Sequence, residues 1–346
     1  MNFSKILDRS GRLFPVPILL TLLVLVAGCG DGTNSGNPSA VSGSLLIDGS
    51  STAFPIAEAI ADDFMRQNPG ARVSVASTGT GSGMDKFGRG EIEVATASRV
   101  IKPEEVQQLE NEGIEFIEVP VAFDGITIMV NPQNDWMTEI SMEQLREIWR
   151  PGSTIQRWNQ IDSSFPDQPI NLYGPTSVHG TFEYFNEVVN GDGKSTRTDF
   201  AQMADYQQLL QGVSRDQYAL GYAGYAYYEE NPDIVRALPV SVDGRPAVKP
   251  SPDTIANGEY TPLARPLVFY VRKDALEDNP LILPVFEYLF SPPGAEAIAD
   301  TGYIPLPEPI QVLALARLTG RTTGTVLITA TPGTPLADVL RKAESE

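Results

Sequence analysis

The sequence is short of the residues on which much protein chemistry depends. Among 346 residues there is one cysteine, Cys29, and one histidine, His179. A lone cysteine excludes an intrachain disulfide and a thiolate metal site. With one histidine there is no His/Cys cluster, so any metal would have to be held by carboxylates alone, and no EF-hand-like spacing occurs. No metal and no cofactor are expected. Cations are scarce too: 25 Lys and Arg face 44 Asp and Glu, a net charge of −19. Nucleic acid is therefore not an expected partner, because a phosphate backbone needs a basic footprint. Any small anion this chain binds must be held by local donors and not by the overall field. Beyond the first thirty residues no apolar run is long enough to span a bilayer.

The first thirty residues carry the one long apolar run. Lys5, Arg9 and Arg12 precede Leu13–Val26, which ends in Ala27-Gly28-Cys29. This pattern reads as a secretory signal over 1–28; its end resembles a lipobox, making Cys29 the lipidated first residue of the mature chain and a membrane anchor. The alternative, an uncleaved anchor helix, would need a longer apolar run. Removing 1–28 deletes three cations and one anion, so the mature chain is more acidic still. Residues 29–43 are mostly Gly, Ser, Asn and Pro, and read as a flexible tether reaching roughly 20 Å.

From residue 44 short apolar runs alternate with helical patterns, the signature of a mostly parallel sheet covered by helices. Strands are expected at 44–47, 72–76, 93–96, 116–121, 126–131, 170–173, 219–222, 234–240, 266–271 and 324–329. Helices are expected at 55–67, 82–89, 103–112, 141–149, 181–189, 200–210, 281–289, 294–300, 311–318 and 335–343. Ser51 and Thr52 are the cap candidates for the first helix. Tyr222, Tyr225, Tyr227 and Tyr228 read as packing aromatics.

Three Gly/Ser/Thr-rich turns each lie between an expected strand and an expected helix: Asp48–Pro55, Ser77–Gly83 and Thr176–Thr181. A helix N-terminus leaves backbone N–H groups unpaired and carries partial positive charge. Glycine admits close approach, and hydroxyls add donors without bulk, so such turns suit an oxyanion. None is a P-loop, since no Gly-Lys-Ser/Thr follows. Arg99 follows the third strand; it either forks onto an oxyanion or pairs with Glu104 or Glu105.

The ordered set Gly49–Thr52, Thr78–Gly83, Ala97–Ile101, Pro120–Gly125, Gly180–Phe185 and Gly302–Leu306, with Thr323–Thr325 more weakly, resembles substrate-binding lipoproteins of high-affinity phosphate ABC importers. The resemblance covers about residues 44–340. It implies an α/β, type II periplasmic-binding-protein fold, with two α/β lobes joined by two crossover segments near 122–125 and 261–266. Lobe I would comprise 44–123 and 265–346, and lobe II 124–264. It implies a monomeric, extracytoplasmic, lipid-anchored receptor that passes inorganic phosphate to the membrane subunits of an importer. Its anion ligands would be Ser51, Thr52, the Ala53 backbone, Thr80, Arg99, Gly180 and Thr181.

The third turn departs from that family, whose members read Thr-Asp-Ser-Gly-Thr where this chain has Ser177-Val178-His179-Gly180-Thr181. A carboxylate is replaced by Val178 and a hydroxyl by His179, which either contacts the anion or is a plain loop residue. A binder of another oxyanion, a ligand-free sensor or scaffold, and a secreted phosphatase are the competing readings; the last lacks an activated nucleophile, since only His179 is near as a base. No catalytic residue is expected. Restoring the family pattern with Val178→Asp and His179→Ser should raise the phosphate-over-sulfate affinity ratio. Titrations at several pH values check this, and an unchanged ratio removes the third turn as a source of selectivity.

Overall fold

The structure is a computed structural model that describes residues 41–330 and 334–344. The leader, Cys29 and nearly all of the tether lie outside the described residues. Among the described residues the first element is β1 (Gly43–Gly49), followed by α1 (Phe54–Gln67), β2 (Ala71–Val75), α2 (Thr80–Gly88), β3 (Val94–Ala97) and α3 (Pro103–Asn111). Next come β4 (Phe116–Val130), β5 (Ile140–Ser141), α4 (Met142–Trp149), β6 (Asn171–Pro175), α5 (Gly180–Asn190), β7 (Ala201–Met203) and α6 (Tyr206–Arg215). The chain continues through β8 (Ala219–Gly224), α7 (Tyr225–Glu229), β9 (Arg236–Ala237), β10 (Val240–Ser241), β11 (Ala264–Arg272) and β12 (Ile304–Pro305). Further helices lie at Ile282–Leu289, Pro292–Asp300, Glu308–Thr319 and Leu336–Glu344.

The strands line up as β2-β1-β3-β11-β4-β8-β6-β7. β1 runs parallel to β2 and β3, and β6 parallel to β7 and β8. The two parallel groups are joined through antiparallel β4 and β11. The first part of β4, Phe116–Gly125, pairs with β11, and its last part, Ile126–Val130, pairs with β8. All fifteen residues of β4 are buried, as expected of a strand covered on both faces. Gly125 pairs with Ala264 at the point where β4 leaves one lobe and enters the other. A Cβ at Gly125 would lie 2.9 Å from Ile255 Cδ1 and 3.3 Å from Ile304 Cδ1, so the strand is closely packed where it crosses.

The buried apolar side chains form two clusters, one confined to the first lobe and one that runs from α2 and α3 into the second lobe. Ile56 and Ile60 of α1 belong to one of them, with Leu45 of β1 and Val119 of β4. In the other, Tyr222 stacks on Phe185 with ring centroids 3.7 Å apart, and Trp149 meets both edge-on. Tyr222, Tyr225 and Tyr228 are buried among these side chains, as packing aromatics should be.

Several expected elements differ in detail. The runs 116–121 and 126–131 are one strand, because neither Phe123 nor Asp124 leaves the pleat. The helix expected over 200–210 is β7 followed by α6, whose start is set by Asp205 accepting the Gln208 amide. The strand expected over 234–240 is only β9 with the start of β10. The strand expected over 324–329 is a single bridge, Gly324 to Ile117, followed by a short 3-10 turn at Leu327–Thr329. Its backbone bends there because the buried Glu118 carboxylate accepts from Thr325 Oγ1 and from the Val326 and Leu327 amides, at 2.6–3.0 Å. Neither Ser51 nor Thr52 caps α1, whose N-cap position is Ala53 with no side-chain bond; Ser50 Oγ instead closes the turn ahead of the helix by accepting from the Thr52 and Ala53 amides. Among the described residues no helix is long and apolar enough to cross a membrane.

The lobes touch on two sides. Gly180 at the start of α5 packs on Thr52, where a Cβ would fall 2.5 Å from Thr52 Oγ1. Tyr227 packs on Gly302, where a Cβ would fall 2.5 Å from the Tyr227 ring and φ is +86°. Gly302→Val should therefore wedge the lobes apart and strain the backbone, at on the order of 1–3 kcal/mol. Small-angle scattering should show a larger radius of gyration; a curve superimposable on that of the parent would mean that Tyr227 reseats without opening the lobes.

Candidate functional site

Between the lobes lies a polar cleft of about 450 Å³, lined by Ser51, Thr80, Gly81, Ser98 and Arg99 on one side and by Glu183 and Glu187 of α5 on the other. Arg265, from the start of β11, lines it as well. The first two turns form its floor for a local reason. Asp48, 3 % exposed at the end of β1, accepts from the Gly49 amide at 2.7 Å and from the Thr78 amide and hydroxyl at 3.1 and 3.0 Å. It also pairs with Lys86 of α2. One carboxylate thus ties the first turn to the second. Gly79, with φ +93°, sends its amide 2.7 Å to the Gly49 carbonyl. Gly83 lets α2 sit on the first turn, since a Cβ there would lie 2.5 Å from the Gly49 Cα.

Thr80 Oγ1 accepts from the Ser98 amide at 3.4 Å and lies at the same distance from Ser98 Oγ, which joins the second turn to the loop after β3. Arg99 in that loop is turned onto Glu105 of α3, with two parallel bonds of 2.7 and 2.8 Å. This is the ion-pair alternative foreseen for it, although the side chain also borders the cleft. Glu105 holds the Arg99 guanidinium firmly charged.

The other expected site residues are not among those that line the cleft. Thr52 and Ala53 are buried, at 1 % and 0 % exposure, and the Ala53 amide is spent on Ser50 Oγ. Gly180 lies against Thr52. Thr181 Oγ1 accepts from the Tyr206 hydroxyl at 2.9 Å. His179 turns away from the lining residues: its Nε2 donates to the Ala204 carbonyl at 2.9 Å, and its ring packs on Tyr206 at 4.8 Å. Val178 is 80 % exposed on the outer lip of the third turn. Among the described residues no group of His, Cys, Asp and Glu is arranged to hold a metal ion.

Comparison with known proteins fits this architecture. A profile of the PBP superfamily domain matches residues 34–293. The chain belongs to that superfamily. The protein SphX of Synechocystis sp. is 41 % identical over 295 residues, covering 85 % of both chains. The phosphate-binding protein PstS of Staphylococcus haemolyticus is 35 % identical over 289 residues, covering 82 % of this chain and 89 % of its own. Among solved structures, one from Planctomyces limnophilus, described as a possible phosphate binding protein, superposes with a TM-score of 0.77 at 38 % identity, covering 82 % of this chain and 99 % of its own.

For a PBP-superfamily chain the residue most easily missed was Arg265. It had a signal: a lone cation within the expected crossover Thr261–Pro266 of an acidic chain. Asp48 and Glu183 lie in segments that the sequence singled out, the first turn and the motif Gly180–Phe185, but only as members of them; Glu187 had no signal.

Asp48 links stability to pH. Burial raises its carboxyl pKa, but the bonds from Lys86, Thr78 and Gly49 outweigh burial and leave it below the ordinary carboxylate value. Its contribution is therefore complete above the unfolded-state pKa and is lost as pH falls through the lowered folded one. Asp48→Asn should cost on the order of 1–3 kcal/mol at neutral pH and flatten the loss of stability towards acid. Urea unfolding of both proteins from pH 7 to pH 3 measures this; parallel curves would show that other carboxylates set the acid limb.

Proposed function

We propose that the protein is an extracytoplasmic receptor that captures inorganic phosphate between its lobes and delivers it to an ABC importer. The observation that carries the reading is the cleft itself: Ser51, Thr80 and Ser98 hydroxyls, the glycine-bordered start of α2 and guanidinium groups surround a polar space between two lobes. Such a donor set suits a tetrahedral oxyanion. The names of the SphX and PstS relatives support phosphate as that oxyanion. Lobe I is taken as 44–123 with 265–346, and lobe II as 124–264. Cys29 carries the lipid anchor, the protein works as a monomer, and the reading assigns it no catalytic step.

Closure follows from geometry. An anion that bonds to both lobes stabilises the state in which Gly180 rests on Thr52 over one in which they part. Excluding water then strengthens each charge-assisted hydrogen bond at the anion. A second reading, in which the site accepts another oxyanion such as sulfate or arsenate, rests on the family carboxylate that Val178 replaces, since His179 is turned away from the cleft.

Calorimetric titration of the anion-stripped mature chain tests both readings. Phosphate should bind at micromolar affinity or tighter, with sulfate weaker by about 100-fold, or about 2.7 kcal/mol. Equal affinities would favour the second reading, and no heat with any oxyanion would sink both.

A further inference from the structure

Two arginines border the cleft, and they are held in opposite ways. Arg99 is committed: both of its terminal nitrogens lie 2.7–2.8 Å from the two oxygens of Glu105, a fork-to-fork pair that is only 15 % exposed on the carboxylate side. An incoming anion would have to break that pair or settle for its edge. Arg265 is not committed. Its Nη2 lies 3.4 Å from Asp124 Oδ2 and its Nη1 3.4 Å from Glu187 Oε2, both at the outer limit of hydrogen bonding. Its Nε is buried and has no partner. The guanidinium lies 3.7 Å above the Tyr184 ring, which fixes its plane and leaves its edge for a ligand.

A buried N–H without an acceptor is costly and rare in a finished structure. The Arg265 side chain is 13 % exposed, so water cannot fully substitute. Its two carboxylate neighbours differ as competitors. Asp124 is almost wholly buried on β4, and burial raises its pKa despite the pull of Arg265 beside it. Glu187 stands on α5 in the other lobe and is 52 % exposed, so releasing it to solvent costs little.

We propose that Arg265, and not Arg99, is the guanidinium that grips the bound oxyanion, and that the anion takes the place of Glu187 on it. The inference rests on the oxyanion-receptor reading above and assigns within it a residue for which the resemblance gave no role. Arg265 sits on the crossover, against Tyr184 and Glu187 of one lobe and beside the turns of the other. Exchange of Glu187 for the ligand therefore changes an interlobe contact at the moment of binding.

The test is calorimetry on the mature chain with phosphate, sulfate and arsenate, using Arg265→Gln, Arg265→Lys, Arg99→Gln and Glu187→Gln. Arg265→Gln should weaken the best-bound anion on the order of 100-fold, and Arg99→Gln by less than about tenfold. Arg265→Lys should recover part of the loss, since it restores the charge without the fork. Glu187→Gln should tighten binding about threefold to tenfold with an unchanged melting temperature, because an exposed competitor is removed. Should Arg265→Gln unfold through the stranded Asp124, the lysine and Glu187 variants decide. Affinity within threefold of the parent in Arg265→Gln, or weaker binding in Glu187→Gln, would overturn the assignment. Preference for sulfate or arsenate would overturn only phosphate as the ligand, and no binding of any oxyanion by the parent would overturn both.

Discussion

Strand β4 crosses from one lobe to the other without a break, and its antiparallel pairing with β11 fixes the cleft. The register sets Gly125 against Ala264 and Asp124 against Arg265. A slip of one residue would turn every side chain of that stretch to the opposite face. It would bury Arg265 in an apolar layer and pull Asp124 out of reach. The burial of all fifteen β4 residues makes such a slip costly, so one hydrogen-bonded ladder determines which charges meet at the crossover.

The floor of the cleft follows from a different constraint. Asp48 gathers two turns that are thirty residues apart, and Gly83 lets the helix after the second turn rest on the first. The result is a rigid half-site in one lobe, with hydroxyls and helix-start amides held by bonds among themselves. The facing lobe contributes α5, whose Glu183 and Glu187 are acidic and partly solvated. The site is thus asymmetric: one side is preorganised with donors, and the other offers carboxylates that must yield to an anion. Arg265 stands between the two.

Outside the cleft, Glu118 on β4 plays a matching part. Its carboxylate holds Thr325 and the amides that follow, and its backbone carbonyl accepts from the buried Arg317 Nε. The C-terminal region is thereby fastened to the same strand that carries the crossing. Tyr270 on β11 donates to Glu118 and accepts from the Ile101 amide, which steadies the loop that holds Arg99.

Much of this was legible in the order of residues alone. The alternation of strands and helices, the three turns at strand-to-helix junctions and the scarcity of metal-ligating side chains all follow from local composition and from periods of 2 and 3.6 residues. The turns at Ser51 and Thr80 both border the cleft. What local pattern could not contain was decided by tertiary contact. Neither Ser51 nor Thr52 caps α1; the turn ahead of it is closed by Ser50, whose amide donates to the Thr96 carbonyl. His179 turns to Ala204 because β7, where a helix was expected, brings that carbonyl beside it. Arg265 meets Asp124 across 141 residues, a distance along the chain at which only the pairing of two strands, and no propensity of either segment, determines which side chains share a space.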